Sequence, residues 1–316
     1  KEQGAGFTIA DHHDFCKPIK DSDVEFGYDG KMYVANYTTS PWKRDTSGGR
    51  IYTIFDKTRL SEPVIAETRT LFQKGFRHRT TNELASLLHH DDMRVRLGAQ
   101  FAIAERGNAS AEVFSQIATR DDNHLARLHA IWGLGQIGRT APTSKNLAPV
   151  IALLKDEDSE VRAQSARVLG DAHFKPAAAA IVNLLADESP RVRFFAALAL
   201  GELRSRDAGD LVVSMLREND GKDRYLTHAG VVALEKIGDR EFVQQWAGDK
   251  SAAVRMAVLL VQRRWSDPRI AQFLNDAQLE IVTEAARAIN DLPLTTGRDK
   301  LANLAARFEN ASGENV

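Results

Sequence analysis

One local pattern recurs seven times between residues 92 and 291, and it leaves few folds open to the chain. Taking an apolar residue at the start of a helix as reference (Val95, Ala126, Val161, Val192, Leu226, Val254, Val282), the residue three places earlier is Asp92, Asn123, Asp158, Ser189, Asp223, Ser251 or Leu279. The first six are helix N-cap types, whose side-chain oxygens accept from the unpaired backbone N–H groups of a first turn. Successive references lie 31, 35, 31, 34, 28 and 28 residues apart, room for two short helices and a turn. Such a period predicts an α-solenoid.

Other columns say how the units should stack. One place after the reference stand Arg96, Arg127, Arg162, Arg193 and Arg255, with threonine in the other two units, and five places before it stand Asp121, Asp156, Asp187 and Asp249. Their common register predicts a structural ladder, each guanidinium bridging turn acids. Four places on, the side chain is small in six of the seven units, which lets helices approach closely. Eight places on, Ile103, Leu134, Leu169, Leu200 and Leu234 give way to Gln262 and Asn290, so the last two units read as a divergent end. A shorter apolar segment precedes each helix, from Leu84–Leu88 in the first unit to Ile270–Leu274 in the last. Paired in this way the units resemble HEAT repeats.

Composition excludes several classes. The chain has 316 residues, 43% hydrophobic and 27% charged, with a formal net charge of -1. Residues 1–80 hold 13 Lys+Arg against 11 Asp+Glu and the rest 29 against 32, so no nucleic-acid partner is expected from bulk charge. The longest apolar run, Phe194 to Leu200, is far short of the about 20 residues a membrane helix needs. A single cysteine, Cys16, excludes an intrachain disulfide and a Cys-x-x-Cys-His haem attachment.

The first eighty residues follow strand chemistry instead. Asp23–Gly27 and Lys31–Tyr37 flank an Asp29-Gly30 pair, a hairpin signal, and Arg50–Phe55 reads as a third strand. With Gly6–Ala10 as a fourth, the segment has the size of one propeller blade. A lone blade cannot bury both faces, so it must dock on the solenoid, on another chain or on blades not included here, and the chain is expected to be part of a longer protein.

The stretches DVEFGYDGKMYVANY and GRIYTIFD, followed by ELASLLHHDDMRVRLGAQFAIAERG, resemble the junction between the last blade of sorbosone-dehydrogenase-like propellers and the HEAT repeats that follow it in large secreted proteins of planctomycetes and verrucomicrobia. Members of that family are commonly described as membrane-bound dehydrogenases and often continue into a c-type haem domain. The resemblance implies a periplasmic or secreted parent, a quinone cofactor and c-type haem outside this chain, and no catalysis by the chain itself. Two departures stand out: most of the propeller is absent, and the aspartate-tryptophan pair that often ends the central strand is here Asn36-Tyr37.

Candidate chemistry is sparse. None of the nine histidines is followed by glutamate, which removes the HEAT-repeat di-iron hydroxylase pattern; His12-His13, between Asp11 and Asp14, would face opposite ways on a strand, and His89-His90, ahead of Asp91 and Asp92, would be solvated in a helix-helix turn, so neither pair reads as a metal site. No catalytic, cofactor-binding or metal residue is assigned. Trp42, Arg127, Trp132, Arg167, Phe194 and Phe195 are the candidate partner-binding residues, with core packing expected for at least two of the three aromatics Trp132, Phe194 and Phe195.

The expected architecture is therefore mainly α. Residues 1–60 form a blade-like antiparallel β segment, 61–79 a linker, 80–294 a HEAT-repeat solenoid of about seven pairs, and 295–316 a capping helix with a tail frayed from Glu309. The expected function is a non-catalytic scaffold for a protein partner or neighbouring domain. The alternatives are the C-terminal portion of a secreted quinone-dependent sugar or alcohol dehydrogenase and, further off, a bilin-lyase-like HEAT enzyme.

Overall fold

The computed structural model describes residues 1–13, 15, 21–36, 49–292, 294–295 and 297–313. The fold is mainly α, a HEAT-like solenoid of helix pairs with small antiparallel sheets ahead of it. The chain divides into two compact units, Ile9–Ile137 and Lys1–Thr8 together with Gly138–Val316.

In the first unit, strands β3 (Asp21–Phe26), β4 (Met32–Asn36) and β5 (Arg50–Ile54) form an antiparallel sheet, numbered after the short strands β1 (Glu2–Gln3) and β2 (Gly6–Phe7) of the other unit. The Asp29-Gly30 turn forms as its sequence predicts: Gly30 takes φ 77°, and Gly27 N–H donates to the Lys31 carbonyl at 2.8 Å. The residues assigned to a linker include a helix, α1 (Pro63–Lys74), which starts on a proline and stops at Gly75 with φ 73°. Helix α1 gives the sheet a surface. Phe72 stacks on Tyr28 with ring centroids 3.9 Å apart, and the Arg94 guanidinium lies 4.8 Å from the Tyr28 ring centroid. The pairs α2 (Thr81–Leu87) with α3 (Met93–Ala104), and α4 (Ala111–Arg120) with α5 (His124–Thr140), are the first two repeats.

Four pairs and a tighter last one follow: α6 (Ser144–Ala152) with α7 (Ser159–Asp171), α8 (Ala178–Val182) with α9 (Pro190–Glu202), α10 (Gly209–Asn219) with α11 (Arg224–Ile237), α12 (Arg240–Gln244) with α13 (Ala252–Arg264), and the 3-10 segment Pro268–Asn275 with α14 (Leu279–Asp291). All seven reference residues are buried. The glycines nine places after two of them set the helix spacing: a Cβ on Gly170 would lie 2.6 Å from Ala199 Cα, and one on Gly201 2.9 Å from Ala233 Cα. Backbone-to-backbone contact between α7, α9 and α11 thus depends on a column the sequence reading did not single out.

The structure corrects several expectations. Gly6–Phe7 does not complete the blade; it pairs with Glu2–Gln3 in a separate hairpin within the second unit, so the sheet has three strands among the described residues. In the last repeat the reference is Ile281 rather than Val282. Ile281, Ala285 and Ile289 then restore the apolar column, and Gln278, which makes no side-chain cap bond, becomes the N-cap. Gln262 is buried too, satisfied by donating to Gln244 at 2.8 Å, so the apolar column is replaced there by an amide pair. A closing helix, α15 (Arg298–Gly313), follows the last repeat.

Candidate functional site

The arginine–aspartate ladder determines which charged side chains are already committed. The acid column acts locally before it acts between repeats: Asp121, Asp156, Asp187, Asp249 and Asp276 each accept from the backbone N–H two residues on, at 2.8 to 3.0 Å. These Asx turns set the entry to the second helix of each pair. Five of the six expected caps then accept from first-turn N–H groups: Asp92, Asn123, Asp158, Asp223 and Ser251. Ser189 makes no side-chain cap bond; Pro190 follows it and supplies a preset φ without an N–H to satisfy.

Between repeats the ladder is intermittent. Arg162 grips Asp187 with two bonds of 2.9 Å, and Arg255 grips Asp276 at 2.7 and 2.9 Å. The Arg255 bond holds the Asp276 carboxyl below the usual carboxylate range. Asp276 escaped the sequence reading because the register of the last repeat was set one residue late. Arg193 has no acid at the equivalent position of the next repeat, where Gly221 stands, and it donates to the Asp187 and Glu188 carbonyls instead. Thr227 replaces arginine in that next repeat, so Asp249 is taken by Arg217 at 2.8 Å. Asp121 pairs with His89 at 2.8 Å rather than with Arg96. Arg127 donates to the Ala118 carbonyl at 3.0 Å.

Arg96 instead belongs to a buried polar cluster. Its Nε–H donates to His129 Nε2 at 3.2 Å, which leaves Nδ1–H of His129 to donate to Gln100 at 2.7 Å, and Gln100 donates to Gln136 at 3.1 Å. Burial, with the Arg96 charge as the lesser cause, lowers the His129 pKa from 6.5 to about 4. A base whose folded pKa lies below its unfolded value lends its full stability above pH 6.5 and loses it as pH falls toward about 4. The loss should total about 3 kcal/mol. Melts of the parent chain and His129→Gln between pH 7.5 and 4.5 check this: the variant should lack that part of the acid sensitivity, and equal pH dependence would refute the assignment.

The six candidate partner residues are distributed over both units. Trp42 lies outside the described residues. Trp132 is half-buried, edge-on to His129 at 5.1 Å. Phe195 is buried beneath the guanidiniums of Arg167 and Arg191, 5.7 and 5.1 Å from its ring, and is therefore a packing residue. Phe194 is half-buried between Phe195 and Tyr225, and Arg167 is exposed, 3.7 Å from Asp171. Arg191 also binds Glu160.

A groove that sequence reasoning missed lies farther along the second unit. Helices α11, α13 and α14 border an open groove of about 570 Å³ with Val231, Leu260 and Leu292 as its apolar lining and Arg224, His228, Arg263, Arg264 and Glu284 around it. A neighbouring cavity of about 520 Å³, with Met256, Leu279 and Thr283, shares Leu260 and Glu284 with the first. These residues recur every three or four places on each helix, which marks one face, but only stacking shows that three such faces adjoin.

Among the described residues no cluster of three His, Cys, Asp or Glu side chains could hold a metal ion, and no helix is long and apolar enough to cross a membrane. Residues 147–235 match the HEAT repeats family. Comparison with curated proteins finds no match. Similar solved structures include YibA of E. coli (19% identity, 72% of this chain and 88% of that one, TM-score 0.46). The complex of CpcE and CpcF of phycocyanin lyase from Nostoc is similar at 17% identity (72% and 94% covered, TM-score 0.41). An archaeal HEAT-like repeats protein from Thermococcus onnurineus is similar at 16% (67% and 96% covered, TM-score 0.41).

Proposed function

We propose that the chain is a non-catalytic repeat scaffold that binds a protein partner or neighbouring domain along the groove of α11, α13 and α14. The observation that carries this reading is the groove itself: two adjoining cavities span three successive repeats, apolar within and bordered by arginines, with Leu279 exposed at one end. Such a mix of apolar centre and charged rim is what protein interfaces use, and a rigid stack presents it without a large ordering cost. The ladder arginines contribute little to binding on this reading, since their donors are spent within the fold.

Leu279→Glu tests it. The residue is 63% exposed at the first position of α14, so the helical fold should tolerate the change while the groove gains a charge. Capture of the partner should weaken about tenfold or more, the scale of an interface hot spot, with the helical circular dichroism unchanged. Undiminished capture would move the partner elsewhere.

A second reading has its own observation. Val24, Phe26, Ile51 and Phe55 are exposed on or beside the three-stranded sheet, as they would be if that sheet continued into a larger β structure. On this proposal the chain is the C-terminal portion of a secreted quinone-dependent sugar or alcohol dehydrogenase whose active site lies outside it. A natural protein much longer than this chain, with quinone-dependent dye reduction, would support it; an inactive natural polypeptide of this length would exclude it.

A further inference from the structure

The segment Lys1–Thr8 packs as a small hairpin within the second unit, although 218 residues separate Ala5 from its partner Asp223. Its backbone is held by specific bonds. Ala5 N–H donates to Asp223 Oδ2 at 2.6 Å, while Asp223 Oδ1 accepts from Tyr225 N–H at 2.8 Å as the cap of α11. One carboxylate therefore serves a helix and a peptide at once. Phe7 lies with its ring 5.1 Å from the Arg191 guanidinium of α9. The fit is steric as well as polar: a Cβ on Gly4 would lie 2.2 Å from Asp223 Oδ2, and one on Gly6 2.2 Å from the Tyr225 ring. Gly4 also takes φ 58°, which favours glycine.

From this geometry we propose that the first turns of α9 and α11 form a docking site for a glycine-containing β-turn followed by an aromatic residue, with Lys1–Thr8 of the same chain as its occupant. Asp223 reads a turn N–H, Tyr225 and Asp223 exclude any side chain at the two glycine positions, and Arg191 receives the aromatic ring. Because the occupant is tethered, it competes at a high effective concentration, and the same peptide added in solution should find the site filled. This assignment is independent of what binds the α11, α13 and α14 groove.

The test uses the full chain and a fluorescein-labelled synthetic peptide of residues 1–8. Gly6→Val in the chain should expel its own hairpin, abolish the hydrogen-exchange protection of the Ala5 amide, and raise affinity for the added peptide at least about tenfold over the parent chain. Peptides carrying Gly6→Val or Phe7→Ala should bind the opened chain at least about tenfold more weakly than the native peptide. Gly4→Ala in the chain repeats the experiment through a different clash, should Gly6→Val not fold. An unprotected Ala5 amide in the parent, equal peptide binding by parent and opened chains, or equal binding of the three peptides would overturn the proposal. A doubled mass in the parent that Gly6→Val halves would assign the site to a second copy's hairpin and overturn the intrachain assignment.

Discussion

Arg162→Ala should destabilise the second unit by roughly 3 kcal/mol or more, although it removes only one side chain at the edge of a turn. The two side chains of the Arg162–Asp187 pair are 11% and 9% exposed, so water does little to replace the lost partner. Arg162 makes two bonds of 2.9 Å to the carboxylate and two more, at 2.8 and 3.0 Å, to the Asp156 and Glu157 carbonyls. The bond to Asp187 is the leading reason its pKa is raised. Alanine leaves a buried carboxylate without its countercharge and two carbonyls without donors. A double-mutant cycle separates these costs: Asp187→Asn still accepts from Ser189 N–H, and made on top of Arg162→Ala it should cost far less than made alone. Additive losses in denaturant titrations would mean that the pair does not couple the repeats.

Leu169→Ala should cost about 2 to 5 kcal/mol, toward the upper end of that range. Leu169 is completely buried on α7, and the site cannot collapse to refill the space. The glycine next to it, Gly170, already brings α7 against the backbone of Ala199 on α9, so the helices have no further approach to make. A cavity lined by fixed neighbours retains its full cost. Unfolding followed both by helical signal and by fluorescence is the appropriate measure, because repeat arrays need not unfold in one step. A loss below about 1 kcal/mol would show that the repeat relaxes around the deletion.

Much of this architecture was legible in the order of residues. Caps such as Asp158 and Asp223, the buried references, and the apolar column through Leu169 and Leu200 all act within one or two turns of helix, and a local interaction leaves a local pattern. The Asp29-Gly30 turn was legible for the same reason. The pairing of Arg162 with Asp187 could be anticipated because both columns recur in register. The groove could not: Leu260 and Glu284 each look like ordinary helix positions, and nothing in their spacing says that their faces meet.

The order of residues alone specifies the helical repeats, where the second helices of the first six begin and that their reference residues are buried. Where the β segments go emerges from packing, since Gly6 and Phe7 carry the same strand signal whether they extend a sheet or fold back as a hairpin against Asp223 and Arg191. Packing also decides what replaces a missing rung: where Gly221 and Thr227 each remove one partner, Arg193 turns to the Asp187 carbonyl and Asp249 is taken by Arg217. Periodicity records the constraints a residue meets along its own helix; contacts across 25 or more residues depend on how the stacked surfaces fit, and that fit has no period to read.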